Sequence, residues 1–179
     1  MTRLLILASA ILMTTAGVVE AHTGHGATGL VHGFAHPFTG LDHLAAMVAV
    51  GLFGARLGGR ALWLVPGSFL VMMSAGGAAG IAGYSIPYAE TAVVASVAVL
   101  GAAALLRWRA PVALAMGLAG FFAIFHGLVH GAEMPAAASG LVYAVGFVTA
   151  TAILHGAGAG LGLVLNRISL RRNAAGNAA

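Results

Sequence analysis

Residues 111–133 read PVALAMGLAGFFAIFHGLVHGAE, an apolar run interrupted only by His126 and His130 and closed by Glu133. About 20 such residues cover the hydrocarbon of a bilayer at 1.5 Å per residue, so this stretch predicts a membrane-spanning helix. Its three ionisable residues stand at i, i+4 and i+7, which stacks them on one stripe of that helix. Ionisable groups are costly inside hydrocarbon, so three on one face call for something that compensates them. A divalent cation does so, because neutral imidazole and carboxylate are good ligands for borderline metals. The plainer reading is a polar seam that hydrogen-bonds a neighbouring helix.

The rest of the chain has the same character. Its 179 residues are 60% hydrophobic and 7% charged, with a mean hydropathy of +1.00. Soluble domains carry about 25% charged residues, so this composition is that of an integral membrane protein whose first partner is the lipid bilayer. Cysteine is absent, which removes disulfides, thiolate ligands and thiol nucleophiles and leaves His, Asp, Glu and Met to bind metal. Lysine is absent too, so the net charge of +4 rests on arginine. In a membrane protein that excess reports topology, and no nucleic-acid partner is read from it.

Met1-Thr2-Arg3, an apolar run from Leu4 to about Val19, and Val19-Glu20-Ala21 together form the pattern of a secretory signal peptide over residues 1–21. An uncleaved first membrane helix is the other reading. Cleavage after Ala21 starts the mature chain at His22, ahead of one transmembrane domain over 22–172 and a disordered cytoplasmic tail over 173–179. Apolar segments near 38–55, 61–83, 87–106, 111–132 and 138–165 make this an all-α, polytopic membrane helix bundle of about five transmembrane helices. Arginines alternate between the links: Arg56 and Arg60 in the first, Arg107 and Arg109 in the third, and Arg167, Arg171 and Arg172 after the last span. The second and fourth links have no basic residue. By the positive-inside rule the arginine ends are cytoplasmic and the mature N-terminus lies outside. Gly76-Gly77-Ala78-Ala79-Gly80 and the glycine run from Gly156 to Gly162 offer small faces for tight helix packing.

The first mature segment carries His32, His36, Pro37, Asp42, His43 and Met47. His36 and His43 would share a face of a continuous helix, but Pro37 predicts a break between them. Such an interrupted entry suits an ion site. Asp42 and His43 are adjacent and point about 100° apart. Met47 reads as packing, and Glu90 as an interfacial residue. In the expected topology this segment enters from the outer side, where the His126–Glu133 stripe also lies, so the two clusters can converge on one outward-opening site. His155 lies deeper and reads equally as an inner relay for the ion or as a packing histidine. His22 and His25, with the freed amine, form either a metal chelate or a solvated tail.

Two motifs, His36-x5-Asp42-His43 and Phe125-His126-Gly127-x-x-His130-Gly131-x-Glu133, resemble the signatures of the HupE/UreJ family of bacterial nickel permeases associated with hydrogenase and urease maturation. The resemblance runs over essentially the whole chain, with Val129 standing where a small alanine is expected. It implies that His36, Asp42, His43, His126, His130 and Glu133 are required for transport of Ni2+, with Co2+ or Zn2+ as other candidate ions and no organic cofactor. His22, His25, His32 and His155 are secondary candidates.

The expected function is therefore a non-enzymatic secondary transporter that moves Ni2+ or Co2+ into the cytoplasm. There is no G-x-x-x-x-G-K-[ST] nucleotide loop, so energy must come from a gradient, from cytoplasmic trapping of the metal, or from a partner. The alternative is an intramembrane zinc hydrolase, with three histidines on the metal and Asp42 or Glu133 activating water. No H-E-x-x-H motif supports it. A sensor or storage subunit would lack a sizeable soluble domain to signal through. Sequence does not fix the oligomeric state.

Overall fold

The computed structural model describes residues 27–136 and 138–176, and within them every regular element is helical. The expected signal peptide, His22 and His25 lie outside the described residues. Helix α1 (Ala27–Ala35) runs into a 3-10 turn (His36–Phe38), followed by α2 (Leu41–Leu57), α3 (Ala61–Ile81), α4 (Ala89–Leu105), α5 (Val112–Ala132) and α6 (Gly140–Gly176). Helices α3, α5 and residues 140–171 of α6 are each long and apolar enough to cross a bilayer, and the bent pair of α1 and α2 passes as a further span. Helix α4 is apolar but has 17 residues, about 25 Å of rise, and falls short of a full crossing. The chain is an all-helical membrane bundle.

Two expected boundaries move. The first span, expected over 38–55, begins at Leu41, because Pro37 ends α1 and the chain turns by 80° before α2. A proline ring cannot continue the α-helical ladder. The turn is closed by Thr39, whose N–H and hydroxyl both donate to the His36 carbonyl, at 3.0 and 2.7 Å. Gly40, in extended conformation, then opens α2. At the other terminus, α6 continues through Asn173–Gly176, where a tail is expected, since the alanines there favour helix.

Hydrophobic residues on the outer faces, including Trp63, Val71, Leu106 and Leu141, are exposed, as lipid-facing positions are. The core is lined by Met47, Phe53, Phe69, Met73 and Leu100. Glycine brings the helices together. A β-carbon on Gly127 or Gly131 of α5 would collide with the backbone carbonyls of Met73 and Gly77 on α3. One on Gly76 or Gly80 would meet those of Ile124 and Leu128. This reciprocal small-residue contact fixes the rotation of α5, and so the direction in which His126 and His130, each one residue before a packing glycine, project. Gly51 and Gly158 make the same close approach between α2 and α6.

The arginine links share one end of the bundle. Arg56 Nη1 donates to Asn166 Oδ1 at 2.8 Å, and Arg107 Nη2 donates to Ser169 Oγ at 2.7 Å, both on the C-terminal half of α6. The turn at His36 and the end of α5 meet at the opposite end.

Candidate metal centre

Helix α5 presents His126 and His130 one turn apart, and α2 brings His43 against both. Ring centroids are 4.1 Å apart for His43–His130 and 5.0 Å for His43–His126. The bend at Pro37 delivers His36 to the same cluster, its ring 4.6 Å from His130 and its Nε2 3.1 Å from Glu133 Oε2. His130 Nδ1 lies 3.6 Å from that oxygen, an electrostatic contact rather than a hydrogen bond.

Candidate ligand atoms fall into two groups that share His130: His43, His126 and His130, and His36, His130 and Glu133. Within each group the atoms lie within 4.8 Å of one another. Donors at about 2.1 Å from one ion lie no more than ~4.2 Å apart, so each group is a small side-chain adjustment from shared coordination. Exposure falls along the cluster, from 50% for the Glu133 side chain through 28% for His36 and 13% for His43 to none for His126. The donors thus form a graded series from the surface into the bundle.

Hydrogen bonding leaves these imidazoles with free lone pairs. His43 Nδ1 stands 3.0 Å from Asp42 Oδ1, which also accepts the His43 backbone N–H at 2.8 Å. A carboxylate only accepts, so the Nδ1 carries the proton and Nε2 is bare. His43 Nε2, His126 Nδ1 and both nitrogens of His130 are buried without a hydrogen-bond partner among the described residues. Buried polar atoms are rarely left unpaired, and when several converge they mark a place for a ligand. At the surface end, His130 and His36 beside it hold the Glu133 carboxyl down to about 2 against the opposing effect of partial burial. Glu133 is therefore an anion over the physiological range, and with Glu90 it lines a cavity of about 400 Å3.

Of the residues singled out in sequence, the fold brings together His36, His43, His126, His130 and Glu133. Asp42 reaches the cluster through His43 rather than as a direct member of either group. His32 is exposed on α1 and belongs to neither. His155 stands apart. It is buried, its Nδ1–H donates to the Met47 carbonyl at 2.7 Å, and Phe69 lies against it at 5.1 Å and against His126 at 5.4 Å. Sequence reasoning passed over Phe147, 4.4 Å from the His130 ring, and Ser96, whose Oγ is 2.8 Å from His126 Nε2. Ser96 had a signal: it alone breaks the apolar run from Ala92 to Leu105.

A sequence profile of the family described as HupE / UreJ protein matches residues 10–179. The chain belongs to the HupE/UreJ family. That family is of transporter type and is associated with nickel and cobalt transport. "Protein HupE" from Rhizobium leguminosarum bv. viciae is 44% identical over 144 residues, covering 80% of this chain and 75% of that protein. No solved structure matches. The membership expected from the two motifs is thereby established, and both HupE/UreJ motifs contribute to the histidine cluster described above.

Proposed function

We propose that this protein is a permease that carries Ni2+, with Co2+ as the alternative cargo, from the periplasm through the inner membrane to the cytoplasm. The observation that carries the reading is the convergence of buried imidazole nitrogens without partners among the described residues, beside an ionised carboxylate at the surface. Glu133 and His36 would receive the hydrated cation, His130 would pass it on, and His43 and His126 would hold it inside the bundle. Asp42 would hold His43 in the tautomer that offers Nε2 and supply part of the negative charge a dication needs. Imidazole and carboxylate, with no thiolate, favour exchange over permanent binding.

By the positive-inside rule the arginine-bearing end would face the cytoplasm, and the cluster would then open to the periplasm. The hydrolase alternative needs a carboxylate poised to activate water, but Asp42 is engaged with His43 and Glu133 with His36. Uptake of labelled Ni2+ and Co2+ into cells expressing the chain is the direct test. Saturable accumulation above vector-only cells is expected. Accumulation equal to the control, with the protein present in the membrane, would contradict the proposal.

A further inference from the structure

Helix α4 contributes one polar side chain to the histidine cluster, and the hydrogen bonds of that side chain have a definite direction. Ser96 is fully buried. Its Oγ lies 2.6 Å from the Val93 carbonyl and 2.8 Å from His126 Nε2. A hydroxyl has one proton, and a carbonyl can only accept, so that proton goes to Val93. The contact with His126 must then run the other way: Nε2–H donates and Ser96 Oγ accepts. A neutral imidazole protonated at Nε2 has its lone pair at Nδ1, the His126 atom that is buried without a partner among the described residues.

The geometry assigns to Ser96 the role of a positioning residue that fixes His126 in its Nε2–H tautomer, so that Nδ1 is the nitrogen offered to the cation. This deepens the metal-site reading above and rests on it. His43, held by Asp42 at Nδ1, would bind through the opposite nitrogen, Nε2. The site would therefore have one anionic anchor and one neutral anchor behind two of its ligands. A neutral anchor leaves the imidazole less basic than a carboxylate does, which suits a ligand that must release its ion.

The competing view is that Ser96 only satisfies itself within its helix. Ser68 shows the difference. Its hydroxyl also bonds the carbonyl three residues back, Val65, but its second neighbour is another carbonyl, Met116, at 3.2 Å. Two acceptors must share that one proton. At Ser96 the second neighbour can donate, so both contacts are complete hydrogen bonds.

Two readouts on full-length protein test the proposal. In metal-free protein in lipid nanodiscs with 15N-labelled histidine, long-range 1H–15N correlations report the tautomer of His126, assigned by the signal lost in His126→Gln. The wild type is expected to carry the proton on Nε2, and Ser96→Ala is expected to lose this single tautomer. In cells, Ser96→Ala should raise the Ni2+ concentration for half-maximal uptake about 10- to 100-fold while keeping the maximal rate per membrane-inserted protein. A wild-type proton on Nδ1 would overturn the proposal, and so would unchanged half-saturation in well-expressed Ser96→Ala. Should Ser96→Ala fail to accumulate, the wild-type tautomer alone decides. If Ser96→Ala transports normally while His43→Ala does not, the positioning role falls and the metal site stands. Normal transport by His43→Ala would instead remove the site itself.

Discussion

The two ends of this bundle handle polar groups in opposite ways. At the arginine-bearing end the side chains pair across helices, Arg56 Nη1 with Asn166 Oδ1, Asn166 Nδ2 with the Ala55 carbonyl, and Arg107 with Ser169, and among the described residues only Arg56 Nε is buried there without a partner. At the other end, five candidate ligands from α2, the C-terminal end of α5 and the Pro37 turn crowd together while four of their imidazole nitrogens have no partner among the described residues. Completed pairs anchor a helix end and fix its register. Lone pairs gathered and left unpaired carry a folding cost of about 1–3 kcal/mol each, which a purely structural seam would have no reason to bear. The proposed metal site accounts for that difference.

Charge-removing substitutions break that comparison most strongly. Asp42→Asn and Glu133→Gln keep shape while withdrawing the anions, and each is expected to cut Ni2+ uptake about tenfold or more at limiting metal. Asn166→Ala at the arginine end should stay within about twofold. Equal losses at both ends, measured per inserted protein, would erase the distinction.

Packing sharpens it next. Gly131→Ala would drive a β-carbon into the Gly77 carbonyl, whereas Gly156→Ala meets nothing within 4 Å. The first should destabilise by about 1–3 kcal/mol, and the second should stay within about 0.5 kcal/mol. Thermal unfolding of the purified proteins checks this, and a stable Gly131→Ala would contradict the packing account.

Acidity gives a graded effect. Glu133, lowered from an ordinary 4.5 to about 2, stays ionised down to strongly acid conditions, and the stability its charge contributes is lost only as pH falls toward 2. Uptake at limiting metal should therefore not change through Glu133 between about pH 7 and 5.5. A loss of uptake centred near the ordinary carboxylate value of 4.5 that Glu133→Gln abolishes would contradict this. The smallest effect is expected of Met47→Leu. Met47 is fully buried, and a volume-conserving exchange should cost under about 1.5 kcal/mol and leave uptake near normal. A large loss would make Met47 part of the path.

Much of this was legible before any coordinates. Apolar length places α3 to α6, and Pro37 marks the break before α2. The spacing of His126, His130 and Glu133 puts them on one stripe. What the chain could not disclose is contact across helices. Nothing local says that His36 meets Glu133, 97 positions away, because that pairing depends on an 80° turn whose direction is set by packing against α6. The family resemblance sets Asp42 among the residues required for transport, and the fold lays its carboxylate on the neighbouring His43. Gly127 and Gly131 read as motif residues, and the fold gives them a mechanical reason: they let α5 approach α3 closely enough to aim the histidines inward.

The most direct test is Ni2+ uptake by His43→Ala, His130→Ala and the double variant, each normalised to protein in the membrane. If the two residues hold one ion, either single change removes most uptake and the double variant is little worse, because the first loss already destroys the shared geometry. Near-normal uptake by both well-expressed single variants would contradict the assignment of this cluster as the transport site.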